Sequence, residues 1–401
     1  MVENAQYEVT SYRWVVLGVF MFIGALTQLL WINFASIRDD AGTYYGVSGM
    51  EIDLLSLIFM LVYIGLAIPS SWVIDTRGVK VGAGFGAILT ASFGVMRIFA
   101  GHNFMMVLIF QAGVALGQPF VMNAISKLSA QWFPEGERAI ATGLGTMSLF
   151  IGIFFGMLLP PFLYQAGGVP MVLIIFGVVA VAGMVLFLIF AKEKPEKPPG
   201  PAAIEEKTFV WEGIKKLVRM PDFLILMVLV LIGMGAFNAI ATFIEPIVGV
   251  RGDAGIIGAM IILGGIFGAL VISTLSDKYR KRKIFIIIAL GAATPLLLGV
   301  TFIPIYAILV IFALLFGFFS MSSLPIGLEF AAEQTAPIPE GTSNGILIMM
   351  GQIGGVIFIL SFIDFTSTNI FIAMIILTVL LAVALVLCLF LKERPLAAKN
   401  K

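Results

Sequence analysis

Long uncharged runs, each closed by charged residues, glycine or proline, dominate this chain. Twelve of them are long enough for an α-helix to cross a hydrocarbon layer about 30 Å thick, which takes roughly 20 apolar residues. They occupy 14–36, 52–74, 81–100, 104–128, 139–163, 171–191, 223–248, 254–275, 284–302, 305–332, 341–363 and 370–391. The runs are continuous rather than alternating, which predicts helices and speaks against a β-barrel. Connections are short except from Lys192 to Pro221, a Pro-rich, charged stretch that reads as an exposed linker. Two six-helix halves are therefore expected, 1–191 and 222–401, joined by a cytoplasmic segment at 192–221. Within that segment, Trp211 to Arg219, with Lys215, Lys216 and Leu217, has the pattern of a basic amphipathic helix lying on a membrane.

Composition fits the same picture. The chain is 60% hydrophobic and 12% charged, whereas a soluble domain carries roughly a quarter charged residues. Lipid must therefore be its solvent. A single cysteine, Cys388, excludes a disulfide scaffold, and a single histidine, His102, excludes a multi-histidine metal centre. A net charge of +1 excludes a general nucleic-acid footprint. No metal or cofactor is expected, and no nucleophile–base set or catalytic acid pair suggests an enzyme. Gly82-Ala-Gly84-Phe-Gly86 imitates a phosphate loop, but it lies inside a span with no strand before it. The first apolar run lacks a small-residue cleavage pattern and reads as a retained span rather than a signal peptide.

Basic residues set the orientation. With the N-terminus inside, 21 of the 24 Lys and Arg fall in cytoplasmic segments. Arg38 and Arg251 fall outside, and Arg97 lies within the third span, where it is expected to snorkel outward. Both termini are thus expected to be cytoplasmic. The short termini and lone cysteine suggest a prokaryotic inner membrane.

One local pattern occurs twice. Ser71-Trp-Val-Ile-Asp75-Thr-Arg77-Gly78-Val-Lys80 follows the second span, and Ser273-Thr-Leu-Ser-Asp277-Lys278-Tyr-Arg280-Lys281-Arg282-Lys283 follows the eighth. The two aspartates are 202 positions apart, about half the chain. A small residue permits close helix approach, and an aspartate can cap a helix or pair with arginine. The pattern resembles the loop signature of the major facilitator superfamily, with Ser71 and Ser273 in place of the usual glycine and Arg280 at the second loop's glycine position. The resemblance implies an all-α integral membrane protein with the major facilitator fold, twelve transmembrane helices in two halves related by a pseudo-two-fold axis. In that fold the substrate site lies near the midplane, and the halves rock in alternating access. Asp75, Arg77, Gly78, Lys80, Asp277, Lys278 and Arg280 would then govern cytoplasmic closure.

Further segments are similar to the feline leukaemia virus subgroup C receptor family, solute carrier family 49. These are Trp31-Ile-Asn-Phe, Tyr45-Gly-Val, Ile52-Asp53-Leu-Leu-Ser, Asp75-Thr-Arg-Gly and Glu340-Gly-Thr-Ser-Asn-Gly. Members of that family move choline, ethanolamine and, as long proposed, haem. The resemblance implies a pocket made by a tryptophan in the first span, a tyrosine in the seventh, and glutamines in the fourth and eleventh. The matching positions are Trp31, Asn238, Gln118 and Gln352, with Phe237 beside Asn238 able to supply an aromatic face.

Depth along the helices points to the same residues, because polar groups inside spans usually face the interior. At 1.5 Å per residue, Gln118 lies about 21 Å below the outer end of its span and Gln352 about 16 Å above the inner end. Trp31 and Asn238 lie around 24 Å above their inner ends. Aromatic faces hold a quaternary ammonium at about 0.5–2 kcal/mol each, and amides can orient its polar end. The bland alternative is that mid-span amides join helices, as expected for Gln28 and Gln111. Asn33, Asn123 and Asn344 are second-rank candidates. No acid lies at the midplane, which favours facilitated rather than coupled transport. Glu245, before Pro246, is the one candidate for proton coupling or a vestibule acid. Glu329 and Glu333 are expected to pair with Arg138 or loop bases, Asp53 to serve a helix N-terminus, and His102 to be exposed. The expected protein is a monomeric carrier of a small organic solute embedded in lipid, with a non-transporting receptor or scaffold as the rival of another class.

Overall fold

The computed structural model describes residues 8–199, 210–335, 338 and 340–393, and among them every regular element is helical. The chain divides into two compact units, Met1–Glu205 and Glu206–Lys401.

The first unit contains α1 (Tyr12–Ile32), α2 (Arg38–Tyr45), α3 (Gly49–Arg77), α4 (Val79–Met96), α5 (Phe104–Met122), α6 (Ile125–Trp132) and α7 (Glu135–Phe190). The second contains α8 (Val210–Leu217), α9 (Pro221–Thr242), α10 (Ile244–Val248), α11 (Ala254–Tyr279), α12 (Arg282–Phe302), α13 (Tyr306–Ser320), α14 (Ser323–Thr335), α15 (Glu340–Phe362), α16 (Phe365–Thr368) and α17 (Ile370–Leu389). Among the described residues, eleven helical stretches are long and apolar enough to cross a membrane. One of them, α7, holds 56 residues and leaves helical geometry at Gly167 and at Gly168, whose φ is +69°. That break falls between the fifth and sixth expected spans, so α7 supplies both and the spans number twelve.

Three apolar runs that read as unbroken are interrupted as helices. Pro246 lies four residues after Thr242, where α9 stops, and Pro325 lies four residues after Met321, where α13 has just ended. In both cases the proline ring would clash with the carbonyl four residues back. The fourth span breaks after Met122, where Asn123 binds sideways to α3. Its Oδ1 accepts from Tyr63 Oη at 3.0 Å, and its Nδ2 donates to the Ala67 carbonyl at 3.1 Å and Ser70 Oγ at 3.0 Å.

Close helix approach rests on small residues, as expected where lipid is as apolar as leucine. In the first unit, a Cβ on Gly152 would overlap the Ala25 carbonyl, which brings α7 against α1. In the second, a Cβ on Gly235 would lie 2.7 Å from Gly354, joining α9 to α15, and one on Gly317 would overlap the Ile261 carbonyl, joining α13 to α11.

The segment expected as an exposed linker is partly built into the units. Glu193 accepts from the backbone N–H groups of Val79 at 2.8 Å and Lys80 at 2.7 Å. Lys197 donates to Glu8 at 2.8 Å, and that hydrogen bond holds the Glu8 carboxyl below its ordinary value. At the far end, Leu217 of α8 is buried and Gly213 packs beside Ile338 and Thr342.

Candidate solute site and loop network

In the first unit, Trp31 sits near the end of α1, buried, with its indole N–H donating to the Ser56 carbonyl of α3 at 3.1 Å. That bond fixes the plane of the ring. Gln118 is buried in α5, one residue before the intrahelical Pro119, and α1 and α5 are in contact. Asn33 is buried at the C-cap of α1, where its Oδ1 accepts from Arg97 Nη1 at 3.4 Å.

In the second unit, Asn238 and Gln352 are buried on α9 and α15, helices packed along their length. Asn238 Nδ2 has no hydrogen-bond partner, and neither does Thr242 Oγ1 one turn further along α9. Both lie just before the break at Phe243. Phe237 is half-buried, and Glu245 is half-buried in the first turn of α10.

The two repeated loops differ in their anchoring. In the first, exposed Asp75 pairs with Lys127 at 3.4 Å, and Lys127 also donates to the Ile74 and Asp75 carbonyls at 3.0 Å, completing the C-terminal end of α3. Arg77 is exposed, and Gly78 turns the chain with φ +100°. In the second, Lys278 and Arg280 are exposed, and Arg280 takes the left-handed conformation, φ +52°, that ends α11. Arg280 thus occupies a glycine position by adopting glycine's backbone geometry, and the pairing role passes to Arg282. Buried Arg282 binds Asp277, Glu333 at 2.9 Å, Glu329 at 3.3 Å and Ser276 Oγ at 3.2 Å. Glu329 and Glu333 therefore meet a loop base.

A second repeat escaped the sequence reading. Lys192-Glu193-Lys194-Pro195 recurs as Lys392-Glu393-Arg394-Pro395, 200 positions later. Glu193 binds the first N–H groups of α4, and Glu393 accepts from the N–H of Arg282, the first residue of α12. Each carboxylate meets the positive end of the helix that follows a repeated loop. The sequence signal was present, but the first copy was absorbed into a general linker charge.

Two expectations are corrected. Arg97 does not snorkel; it is 0% exposed, with Nη1 donating to Gln111 Oε1 at 2.7 Å. Asp53 is not a surface acid serving a helix end. It is buried and takes a two-pronged ion pair from Arg38, at 2.8 Å from Nε and 2.9 Å from Nη2. The helix start instead has a capping box, with Glu51 accepting from the Ser48 N–H at 2.8 Å. Gln28 and Gln111 do join helices: Gln28 reaches Met122 Sδ, and Gln111 donates to the Leu30 and Leu55 carbonyls.

Comparison with known proteins places this geometry. The Major Facilitator Superfamily matches at residues 14–359 and again at 251–401. An uncharacterized MFS-type transporter of Caenorhabditis elegans is 32% identical over 88% of this chain, which spans 64% of that protein's length. Solute carrier family 49 member A3 of Xenopus tropicalis is 30% identical over 90% of this chain and 79% of its own. A choline/ethanolamine transporter, FLVCR2 of Rattus norvegicus, is 29% identical over 90% of this chain and 70% of its own. Among solved structures, a bacterial homologue of the human lysosomal transporter Spinster, inward-facing and unoccupied, superposes with a TM-score of 0.78 at 17% identity over 98% of this chain and 100% of that one. That likeness establishes the fold. The twelve-span fold, the matches along the chain and the relatives' shared character as membrane transporters rather than enzymes lead to one conclusion: this chain is a multi-pass membrane transporter of the major facilitator superfamily, belonging to solute carrier family 49.

Proposed function

We propose that the protein carries choline, ethanolamine or a closely similar amino-alcohol by facilitated diffusion and alternating access. The observation that carries this reading is the pair of unpartnered, buried donors on one face of α9, Asn238 Nδ2 and Thr242 Oγ1. They suit the hydroxyl common to both solutes. Trp31, held by Ser56, offers a fixed aromatic face to the ammonium group, and Phe237 a second. Gln118 and Gln352 complete the set with neutral amides. Asn33 is committed to Arg97 and is left out. The names of the choline/ethanolamine relatives support the same chemistry.

Asp75, Arg77, Gly78, Lys80, Asp277, Lys278 and Arg280 would act with Lys127 and Arg282 in closing the cytoplasmic face. The distribution of basic residues supports cytoplasmic termini. The coupled alternative rests on Glu245, whose carboxylate is half-buried just past the helix break.

Purified protein in liposomes tests both. Saturable uptake of radiolabelled choline or ethanolamine without a pH gradient, weakened at low solute concentration in Trp31→Ala and Asn238→Leu, supports the proposal. Uptake that needs an imposed pH gradient and disappears in Glu245→Gln supports the coupled carrier instead. Choline and ethanolamine uptake no greater than in empty liposomes overturns the substrate assignment.

A further inference from the structure

Among the described residues, Arg280 is the only one other than glycine with a positive φ. It closes α11 at φ +52° and ψ +39°. That left-handed conformation strains an L-residue and leaves glycine unstrained. The rest of the chain offers the arginine no compensation: its side chain is exposed and makes no hydrogen bond or ion pair.

The bases around it fall into two groups. Arg282 holds Asp277, Glu329 and Glu333, and Lys283 donates to the Leu389 and Leu391 carbonyls at 2.7 and 2.8 Å. Lys278, Arg280 and Lys281 are all exposed, and none of them pairs with an acid among the described residues. Three cations within four positions repel one another unless an anion stands between them.

The surface beside these bases identifies the anion. Val271, Leu275 and Tyr279 repeat every four residues along α11, and all three are exposed. Ile284 and Ile288 of α12 are exposed as well, and Tyr279 stacks on Phe285 with ring centroids 6.3 Å apart. An exposed apolar strip on a spanning helix is wetted by acyl chains, and an aromatic ring at its end marks the headgroup level. Lys278 and Arg280 lie three and five positions beyond Leu275, about 5–8 Å further along the axis. A guanidinium flanked by two ammonium groups at that height suits a phosphodiester, which arginine grips through paired N–H donors.

We propose that Lys278, Arg280 and Lys281 bind the headgroup of one anionic phospholipid, with its acyl chains along Leu275, Tyr279 and Ile284. The lipid offsets the strain at Arg280, while Arg282 holds the acids behind it. The site lies within the second unit and is independent of the solute proposed above.

Native mass spectrometry of the purified full-length protein, titrated with phosphatidylglycerol or phosphatidylcholine, tests this. The expected result is one phosphatidylglycerol bound at least about tenfold more tightly than phosphatidylcholine, and not displaced by inorganic phosphate. Phosphatidylglycerol should also raise the unfolding temperature by a few degrees more than phosphatidylcholine does. Lys278→Gln, Arg280→Gly and Lys281→Gln combined should abolish the preference. Arg280→Gly alone relieves the backbone, so it should unfold no lower than wild type in phosphatidylcholine while losing most of the extra stabilisation. Lys215→Gln, Lys216→Gln and Arg219→Gln combined remove as many charges elsewhere and should leave the preference intact. Equal affinity for the two lipids, a preference retained in the first triple variant, or an equal loss in the second would each overturn the proposal. Displacement by inorganic phosphate would overturn the lipid in favour of a free anion.

Discussion

The turn at Gly78 offers a test of how the first repeated loop is held. Gly78 has φ +100° and ψ +167°, a region open essentially to glycine alone, and a Cβ there would overlap the Glu193 carboxylate. Two costs therefore attach to Gly78→Ala. Backbone strain amounts to about 1–3 kcal/mol. Displacing Glu193 from the Val79 and Lys80 N–H groups, bonds of 2.8 and 2.7 Å to a half-buried carboxylate, costs about another 1–3 kcal/mol. Glu193→Ala alone should cost only the second amount. In Glu193→Ala, Gly78→Ala should then cost only the strain, because nothing remains to be displaced. The double variant should accordingly fall short of the sum of the singles by about 1–3 kcal/mol, well beyond the roughly 0.5 kcal/mol scatter of independent sites. Thermal unfolding of the purified protein reads this out, at about 2–4 °C per kcal/mol for a unit of this size. Additive singles, or an unchanged unfolding temperature in Glu193→Ala, would refute the claim that this carboxylate holds the turn.

Other substitutions probe the remaining interactions. Trp31→Phe keeps an aromatic face and should raise the KM for choline about 2- to 10-fold, whereas Trp31→Ala should raise it up to about 30-fold, matching a cation–π contact of 0.5–2 kcal/mol; equal effects on a neutral solute would count against it. Asp53→Asn leaves Arg38 charged and buried, so a loss of about 3–5 kcal/mol is expected, and the paired Arg38→Met, Asp53→Leu variant should recover most of it in the same unfolding assay. Gly317→Ala forces α13 away from the Ile261 carbonyl and should lower stability by about 1–3 kcal/mol or more, unlike Gly327→Ala, where a Cβ meets open space.

The spans were legible because each is a long apolar run, and burial in lipid is a property of composition read over about 20 residues. The helix breaks after Thr242 and at Met321 were legible in principle, since Pro246 and Pro325 each follow four residues later. They were passed over because hydropathy does not change across them. The break at Asn123 had no such marker; it depends on Tyr63 and Ser70, more than 50 positions away in the chain. At the candidate solute site, the sequence located Trp31, Gln118, Asn238 and Gln352 by depth. Which amide is already engaged was not legible: the Asn33 oxygen is taken by Arg97, whereas the Asn238 amide nitrogen has no partner.

Charge was the least legible property, for a physical reason. The energy of a buried ion depends on which opposite charge comes within a few ångströms, and sequence distance says little about that. Arg38 finds Asp53 fifteen positions on, and Arg282 finds Glu329 and Glu333 about fifty positions on. Arg97 is surrounded by amides, a phenol and a phenyl ring instead. Read along the chain, these are three bases near the ends of apolar runs, and the positive-inside rule assigns each a place across the membrane but no partner. In the fold they are three different objects. One is a closed pair that ties α2 to α3, one gathers the acids of α11 and α14 at the start of α12, and one is a cation held by two amide oxygens and the face of a phenyl ring.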